Sequence, residues 1–341
     1  MTRKSWKALW IALGFGWGLV LAGVPRATGA EKLVLLLDWV PYAAHLGMYA
    51  ALDRGDYRRA GLSVEITRGF GSGDTIKRVG VGSAQMGFAD AGSLVVARAQ
   101  GIQTKVVGMI LDKSMFVVTT LKKSGIRTAK DLEGRKVATP KTSSTYILFP
   151  ALAALNGVDT GKIEFVFMGA AALGPSLMAG KVDAILNYDN STPTFVEAAR
   201  KAHQEAAVFL YSKWGLDIYS NGLITSDALI QDKPAVAGSF VRSTMEGTAW
   251  AVEHPEEAAD IFVKLNPTQD PVLTRKAWAI VVDHLLTPTA RKLGLGHMDR
   301  KKMELTRDVV TKYMKLPVTV PVEEIYTNRF LPKLFPKPPG S

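Results

Sequence analysis

The sequence predicts an α/β protein of two lobes, each a parallel sheet covered by helices, and three observations carry this reading. Short apolar runs alternate with segments of helical spacing from residue 33 to residue 121. The alternation restarts near Lys122, and a further apolar run returns at residues 221–225. Beyond that return the chain reads mainly as helix. A β-α-β order of this kind builds parallel sheets with helices on both faces.

Residues 33–37 are continuously apolar, the pattern of a strand buried on both faces. Residues 45–53 have helical spacing, closed by Gly55. Strands then follow at 63–67, 86–89, 105–111 and 116–121, with helices at 75–81 and 93–100, the last stopped by Gly101. In the second unit a short helix at 129–132 precedes a strand at 136–138. A strong helix follows at 144–155, ended by Asn156 and Gly157. Strands at 163–167 and 184–187 alternate with helices at 175–179 and 194–202. After the return strand come helices at 234–253, 255–265, 272–286 and 300–314. The tail from Leu331 carries Pro332, Pro336, Pro338 and Pro339 and should be extended. This layout assigns residues 31–121 and 221–341 to the first lobe and 122–220 to the second. The chain then crosses twice, near Leu121 and near Ser220, which permits hinge closure about a cleft.

Length and composition bound the function. The 341 residues suffice for two ordinary domains, and 47% hydrophobic with 21% charged residues excludes a disordered chain. There is no cysteine. That excludes disulfides, thiolate metal sites, a thiol nucleophile and a lipid-modified N-terminal cysteine. His45, His203, His254, His284 and His297 are scattered without metal-ligand spacing, so no metal site is expected. Arg3, Lys4 and Lys7 precede an uncharged apolar run at 8–24 and a small-residue stretch ending at Ala30. This is the pattern of a secretory signal peptide over residues 1–30. The run is short and glycine-rich for a membrane anchor. A periplasmic protein that is not lipid-anchored is expected. The leader's four basic residues leave +7 of the net charge of +11 on the rest. Those basic residues are dispersed, which argues against nucleic acid as a partner. A modest preference for anionic ligands is the most the charge implies.

Ligands of α/β sheets sit beyond the carboxyl ends of strands. The first strand runs into Asp38 and Trp39, with Tyr42 and His45 just beyond. Trp39 and Tyr42 can stack on a flat heterocycle, and Asp38 can accept from its N–H groups. The alternative puts Trp39 in the core and Asp38 on a turn. After the second strand, Gly71, Ser72 and Gly73 lead into a helix and offer backbone N–H groups to an oxygen ligand. Alternatively the turn is simply capped by Asp74. The pattern lacks the lysine of a phosphate-binding Walker loop. The third strand ends at Asp90, with Ser93 opening the next helix. In the second unit Thr142, Ser143, Ser144 and Thr145 offer more hydroxyls than one cap needs. Asn187, Tyr188 and Asp189 again join an aromatic to a carboxylate. No GxSxG elbow or Ser-His-Asp order is present, and no catalytic residue or cofactor is expected.

The segment from Leu37 to Pro41, followed by His45, Gly47, Tyr49 and Ala50, resembles the opening of ABC-transporter binding proteins for thiamine-pyrimidine precursors. Gly55-Asp56-Tyr57, the GSAQMGF run at 82–88, ARAQG at 97–101 and DLEGRK at 131–136 extend the resemblance to about Asn266. Wider relatives bind nitrate, sulfonates and taurine. The resemblance implies a type II periplasmic binding protein fold, with a small-molecule ligand between the lobes and no enzymatic activity. It further implies an ABC permease and ATPase in the inner membrane as partners, and a monomer. By similarity, Asp38 and Trp39 face the cleft, and Asn187, Tyr188 and Asp189 supply stacking and polar contacts. Two positions depart: Tyr42 stands where the pyrimidine binders usually have Asn, and Asp189 where they often have Glu. Fungal thiamine-pyrimidine synthases resemble the same proteins. Their lysine and histidine align with Ala89 and Ser93, and their cysteine motif with residues 216–220. Alternatives to a pyrimidine precursor are an aromatic acid, a riboflavin-like ligand or a sulfonate. A closed form that docks on a sensor kinase is an alternative to a permease.

Overall fold

The structure is a computed structural model that describes residues 29–340. The expected signal peptide lies outside the described residues up to residue 28. The strands are β1 (Glu31–Leu36), β2 (Leu62–Thr67), β3 (Met86–Asp90), β4 (Thr104–Met109), β5 (Phe116–Leu121), β6 (Lys136–Thr139), β7 (Glu164–Phe167), β8 (Ala184–Tyr188), β9 (Ala206–Leu210) and β10 (Asn221–Ser226). They form two sheets, in the orders β2-β1-β3-β10-β4 and β7-β6-β8-β5-β9. The two orders are one pattern used twice. In the first sheet β10 runs antiparallel to β3 and β4, and in the second β5 runs antiparallel to β8 and β9. Each odd strand adjoins a crossing between lobes.

One boundary differs from the expectation. Residues 116–121, expected at the end of the first lobe, pair instead with β8 and β9 in the second sheet. The first crossing therefore lies between Met109 and Phe116 rather than after Leu121. All six residues of β5 are buried. Such a run identifies a central strand but not the sheet it enters. The second crossing lies between Leu210 and Asn221.

The longer helices are α1 (Leu46–Asp53), α2 (Ser72–Gly80), α3 (Ala91–Ala99), α4 (Phe149–Leu155), α5 (Ala170–Met178), α6 (Thr192–Lys201), α7 (Pro234–Glu253), α8 (Pro255–Leu265), α9 (Pro271–Leu285) and α10 (Arg300–Tyr313). The single helix expected over 144–155 is two pieces, Ser144–Ile147 and α4. Pro150 explains the break, since it has no N–H to donate and its ring crowds the carbonyl four residues back. Glycines Gly47 and Gly247 let α1 and α7 approach closely; a Cβ on Gly247 would lie 2.5 Å from Gly47 O.

Two C-terminal helices span both lobes. Helix α10 packs on α3 of the first lobe and α4 of the second, and α9 packs on α6. The tail runs extended along the first lobe, where Leu295 N donates to Leu334 O at 2.8 Å. The main core is shared by both sheets, and a smaller one joins Leu121, Ala138, Leu173, Leu177, Val182, Ile185 and Ala199 in the second lobe. Among the described residues no helix is long and apolar enough to cross a membrane.

Candidate functional site

The carboxyl ends of β1 and β3 and the amino end of antiparallel β10 meet at one point, where Asn221 lies opposite Asp90. Asp38 follows β1 there and is fully buried. Its carboxylate accepts three hydrogen bonds. Asn221 Nδ2 donates to Oδ2 at 2.8 Å, Tyr42 Oη donates to Oδ2 at 3.1 Å, and His45 Nε2 lies 3.1 Å from Oδ1. The Tyr42 backbone N–H donates to His45 Nδ1 at 3.2 Å. That places the imidazole proton on Nε2, where it donates to Asp38. His45 thus stands behind Asp38 and holds it. Burial, then the neighbouring Asp38, keeps the Tyr42 phenol well above the usual tyrosine range, so it remains a donor.

Asp90 ends β3 and caps α3, accepting the Ser93 N–H on Oδ1 at 2.6 Å. Its own N–H donates to Ser72 Oγ at 3.2 Å. Oδ2 is buried and accepts no hydrogen bond from the described residues. Burial pushes the Asp90 carboxyl up to about 7, with Asp38 adding to the rise and the Ser93 N–H opposing it. The two carboxylates of one wall therefore differ. Asp38 is held by three donors on both oxygens, while Asp90 has an unused oxygen.

The second lobe supplies the facing wall. Tyr188 ends β8, and its hydroxyl donates to Ser144 Oγ at 3.3 Å. Its ring stacks on Tyr42 of the first lobe, with centroids 6.0 Å apart and planes at 25°. Burial and then Asp38 raise the Tyr188 phenol, which also stays protonated. The turn before α2 touches the second lobe directly. Gly73 N donates to Thr142 O at 3.1 Å, and the Thr142 hydroxyl donates to Phe70 O. Gly71 has φ +121°, and a Cβ there would lie 2.3 Å from Thr142 O. Only glycine fits both the angle and the gap. On the far side, His284 Nε2 of α9 lies 3.7 Å from Asp189 Oδ2. The lobes are closed on each other.

Beside the tyrosine pair a cavity of about 360 Å³ opens between the lobes. Trp39, Tyr42 and Thr274 line it from the first lobe, and Ala170, Asn190 and Phe195 from the second. Asn190 Oδ1 is buried without a hydrogen-bond partner among the described residues. The volume lies at the lower end of the range for small-molecule sites.

The structure brings together Asp38, Trp39, Tyr42, His45, Ser72, Asp90, Ser93, Ser144 and Tyr188. The remaining expected residues turn their polar groups elsewhere. Ser143 Oγ and Thr145 Oγ1 bond each other at 2.8 Å, and Thr119 Oγ1 donates to Asn187 Oδ1 at 2.9 Å. Asp189 accepts from Thr192 Oγ1 at 2.9 Å. Helix α2 begins at Ser72 with Gly71 as its N-cap, so Asp74 lies inside the first turn and does not cap it. Trp39 combines its two readings, packing half-buried on the core while facing the cavity. Sequence reading missed Asn221, Asn190, Phe195 and the α9 residues Thr274 and His284. Asn221 opens the return strand, which is the only local signal it carried.

Residues 42–258, more than half of the chain, match the family described as "NMT1/THI5 like". A riboflavin-binding protein, RibY, of Chloroflexus aurantiacus is 26% identical over 314 residues, covering 89% of this chain and 86% of that protein. A formylaminopyrimidine-binding protein of Halalkalibacterium halodurans is 24% identical, covering 76% of this chain and 79% of that one. Other relatives, from Legionella pneumophila and several fungi, are named 4-amino-5-hydroxymethyl-2-methylpyrimidine phosphate synthases. Among solved structures, the alkanesulfonate-binding protein SsuA of Xanthomonas axonopodis superposes with a TM-score of 0.67 at 16% identity, over 87% of this chain and 98% of that one. Such a likeness establishes the two-lobed type II periplasmic binding protein fold. With its family pattern running from Tyr42 through the second lobe into α8, the chain belongs to the NMT1/THI5-like family.

Proposed function

We propose that this protein is the extracytoplasmic solute-binding component of an ABC importer, which holds an amino-bearing planar heterocycle between its lobes and hands it unchanged to a permease. One observation carries the reading: aromatic and acceptor groups of both lobes converge on one gap, with Asp38 and Tyr42 facing Tyr188 beside a ligand-sized cavity. A ring inserted between two others needs about 7 Å between their planes. The 6.0 Å pair therefore takes a ligand ring by parting slightly, or on one face from the cavity. A ligand that touches both lobes favours the closed form by its extra contacts there.

The buried Asp38 and the partnerless Asp90 oxygen, with no cation paired to Asp90, favour a donor over an oxyanion. That argues against the sulfonate and aromatic-acid alternatives and against the anion preference suggested by net charge. A thiamine-pyrimidine precursor remains the first choice and a riboflavin-like ring the second, both in keeping with the named binding relatives. The relatives named synthases favour a second, enzymatic reading. Against it stand the absence of cysteine and the presence of Ala89 and Ser93 where the resemblance puts the synthases' lysine and histidine.

Mass spectrometry of the natively purified protein tests the reading, joined to thermal melting with aminopyrimidines, riboflavin, taurine and benzoate. A carried heterocycle of unchanged mass that raises Tm supports it. A new pyrimidine product after incubation with pyridoxal phosphate and iron, or no Tm shift with any of the panel, contradicts it.

A further inference from the structure

We propose that Asp90 is a proton-exchanging anchor: the free site keeps a proton on its unused oxygen, and the ligand's positive charge or N–H donor displaces that proton when it binds. This rests on the solute-binding reading above and deepens it. The geometry is one-sided. Asp90 Oδ1 is consumed by the cap on α3, while Oδ2 is buried and unpartnered among the described residues. The groups around it bring no cation. After β1 come Asp38 and Tyr42, from β8 Tyr188, from α2 Ser72, and from α3 itself the Gly92 N–H and the Ser93 N–H and hydroxyl.

Cations on the neighbouring helices form ion pairs with other carboxylates. Arg98 of α3 pairs with Asp227 and Glu324, Lys302 of α10 with Asp112, and Arg78 of α2 with Asp74. His45 spends its proton on Asp38. A buried carboxylate with no counter-charge takes up a proton, which is why burial lifts Asp90 to about 7. A cationic ligand supplies the missing charge.

The proton balance then depends on the ligand. With a fixed cation, the Asp90 O–H bond breaks, the proton passes to solvent, and an N–H···O⁻ bond to the ligand forms. With a neutral ring base, the same proton moves to the ring nitrogen and none leaves. Affinity for a fixed cation should therefore rise with pH up to about 7 and level off above it.

Calorimetric titration with 4-amino-1-methylpyridinium, whose charge does not titrate, and with 4-amino-2-methylpyrimidine tests this. Wild type should bind the fixed cation about tenfold more tightly at pH 8 than at pH 6 and release a proton at pH 6, read from buffers of different ionisation heat. Asp90→Asn keeps the oxygen that caps α3, so it should fold, bind without pH dependence or proton release, and lose at least tenfold affinity at pH 8. Asp90→Ser, which also caps, should behave alike. A pH-independent wild type, or an Asp90→Asn protein that binds as wild type does, overturns the proposal. If neither probe binds but riboflavin or an anion does, the proposal fails and the solute-binding reading stands. If nothing binds, both fail.

Discussion

The first lobe's wall of the cleft holds Asp38 from three sides, whereas the second lobe's wall turns most of its hydroxyls toward its own chain. Asn221, Tyr42 and His45 all point their protons at one carboxylate. Opposite them, Ser143 and Thr145 satisfy each other, and Thr142 reaches over to the first lobe. The difference teaches that the two walls do different jobs. A carboxylate fixed before the ligand arrives costs no reorganisation on binding. A wall of locally satisfied hydroxyls can approach and withdraw without stranding polar groups. One wall is set for recognition and the other for closure.

Substitutions can break that contrast. Asp38→Ala should have the largest effect, since three buried donors lose their acceptor at about 1–3 kcal/mol each. We expect at least about 3 kcal/mol of destabilisation in urea unfolding. A loss below 1 kcal/mol would show the network to be slack.

Asp90→Asn should act in the opposite direction, and only at higher pH. Burial raises the folded-state carboxyl to about 7 from its ordinary 3.8. Its contribution to stability is therefore complete below pH 4 and lost as pH rises through 7. At pH 8 the variant should exceed wild type by up to about 3 kcal/mol, with near equality at pH 4. Equal stabilities at both pH values would place Asp90 in a better solvated setting.

Gly71→Ala bears on closure. Alanine at φ +121° costs about 1–3 kcal/mol and collides with Thr142 O only when the lobes meet. Ligand affinity should fall by more than the strain alone explains in melting experiments. Tyr188→Phe should have the smallest effect, about 1 kcal/mol, since it removes one hydroxyl bond to Ser144 and keeps the ring stack.

Much of this was legible in the sequence where the signal is local. The apolar run before Asp38 marked a buried strand, and the aromatic and carboxylate beyond it marked the site. Asp90 and Tyr188 likewise end strands that their patterns identify. What could not be read depends on distant partners. Asn221 lies 183 residues from Asp38, and nothing near it names that contact. Residues 116–121 read as strand, but the choice of sheet is made by β8 and β9. Trp39 was ambiguous because its two faces have different neighbours, one in the core and one in the cavity.

Small-angle X-ray scattering tests the shared cleft most directly. Wild-type protein stripped of ligand should have a larger radius of gyration than the closed arrangement described here. It should contract to that value when saturated with whichever panel compound raises Tm, and Gly71→Ala should contract less. An identical radius with and without a bound compound, in wild type and variant alike, would contradict a cleft that closes on its guest.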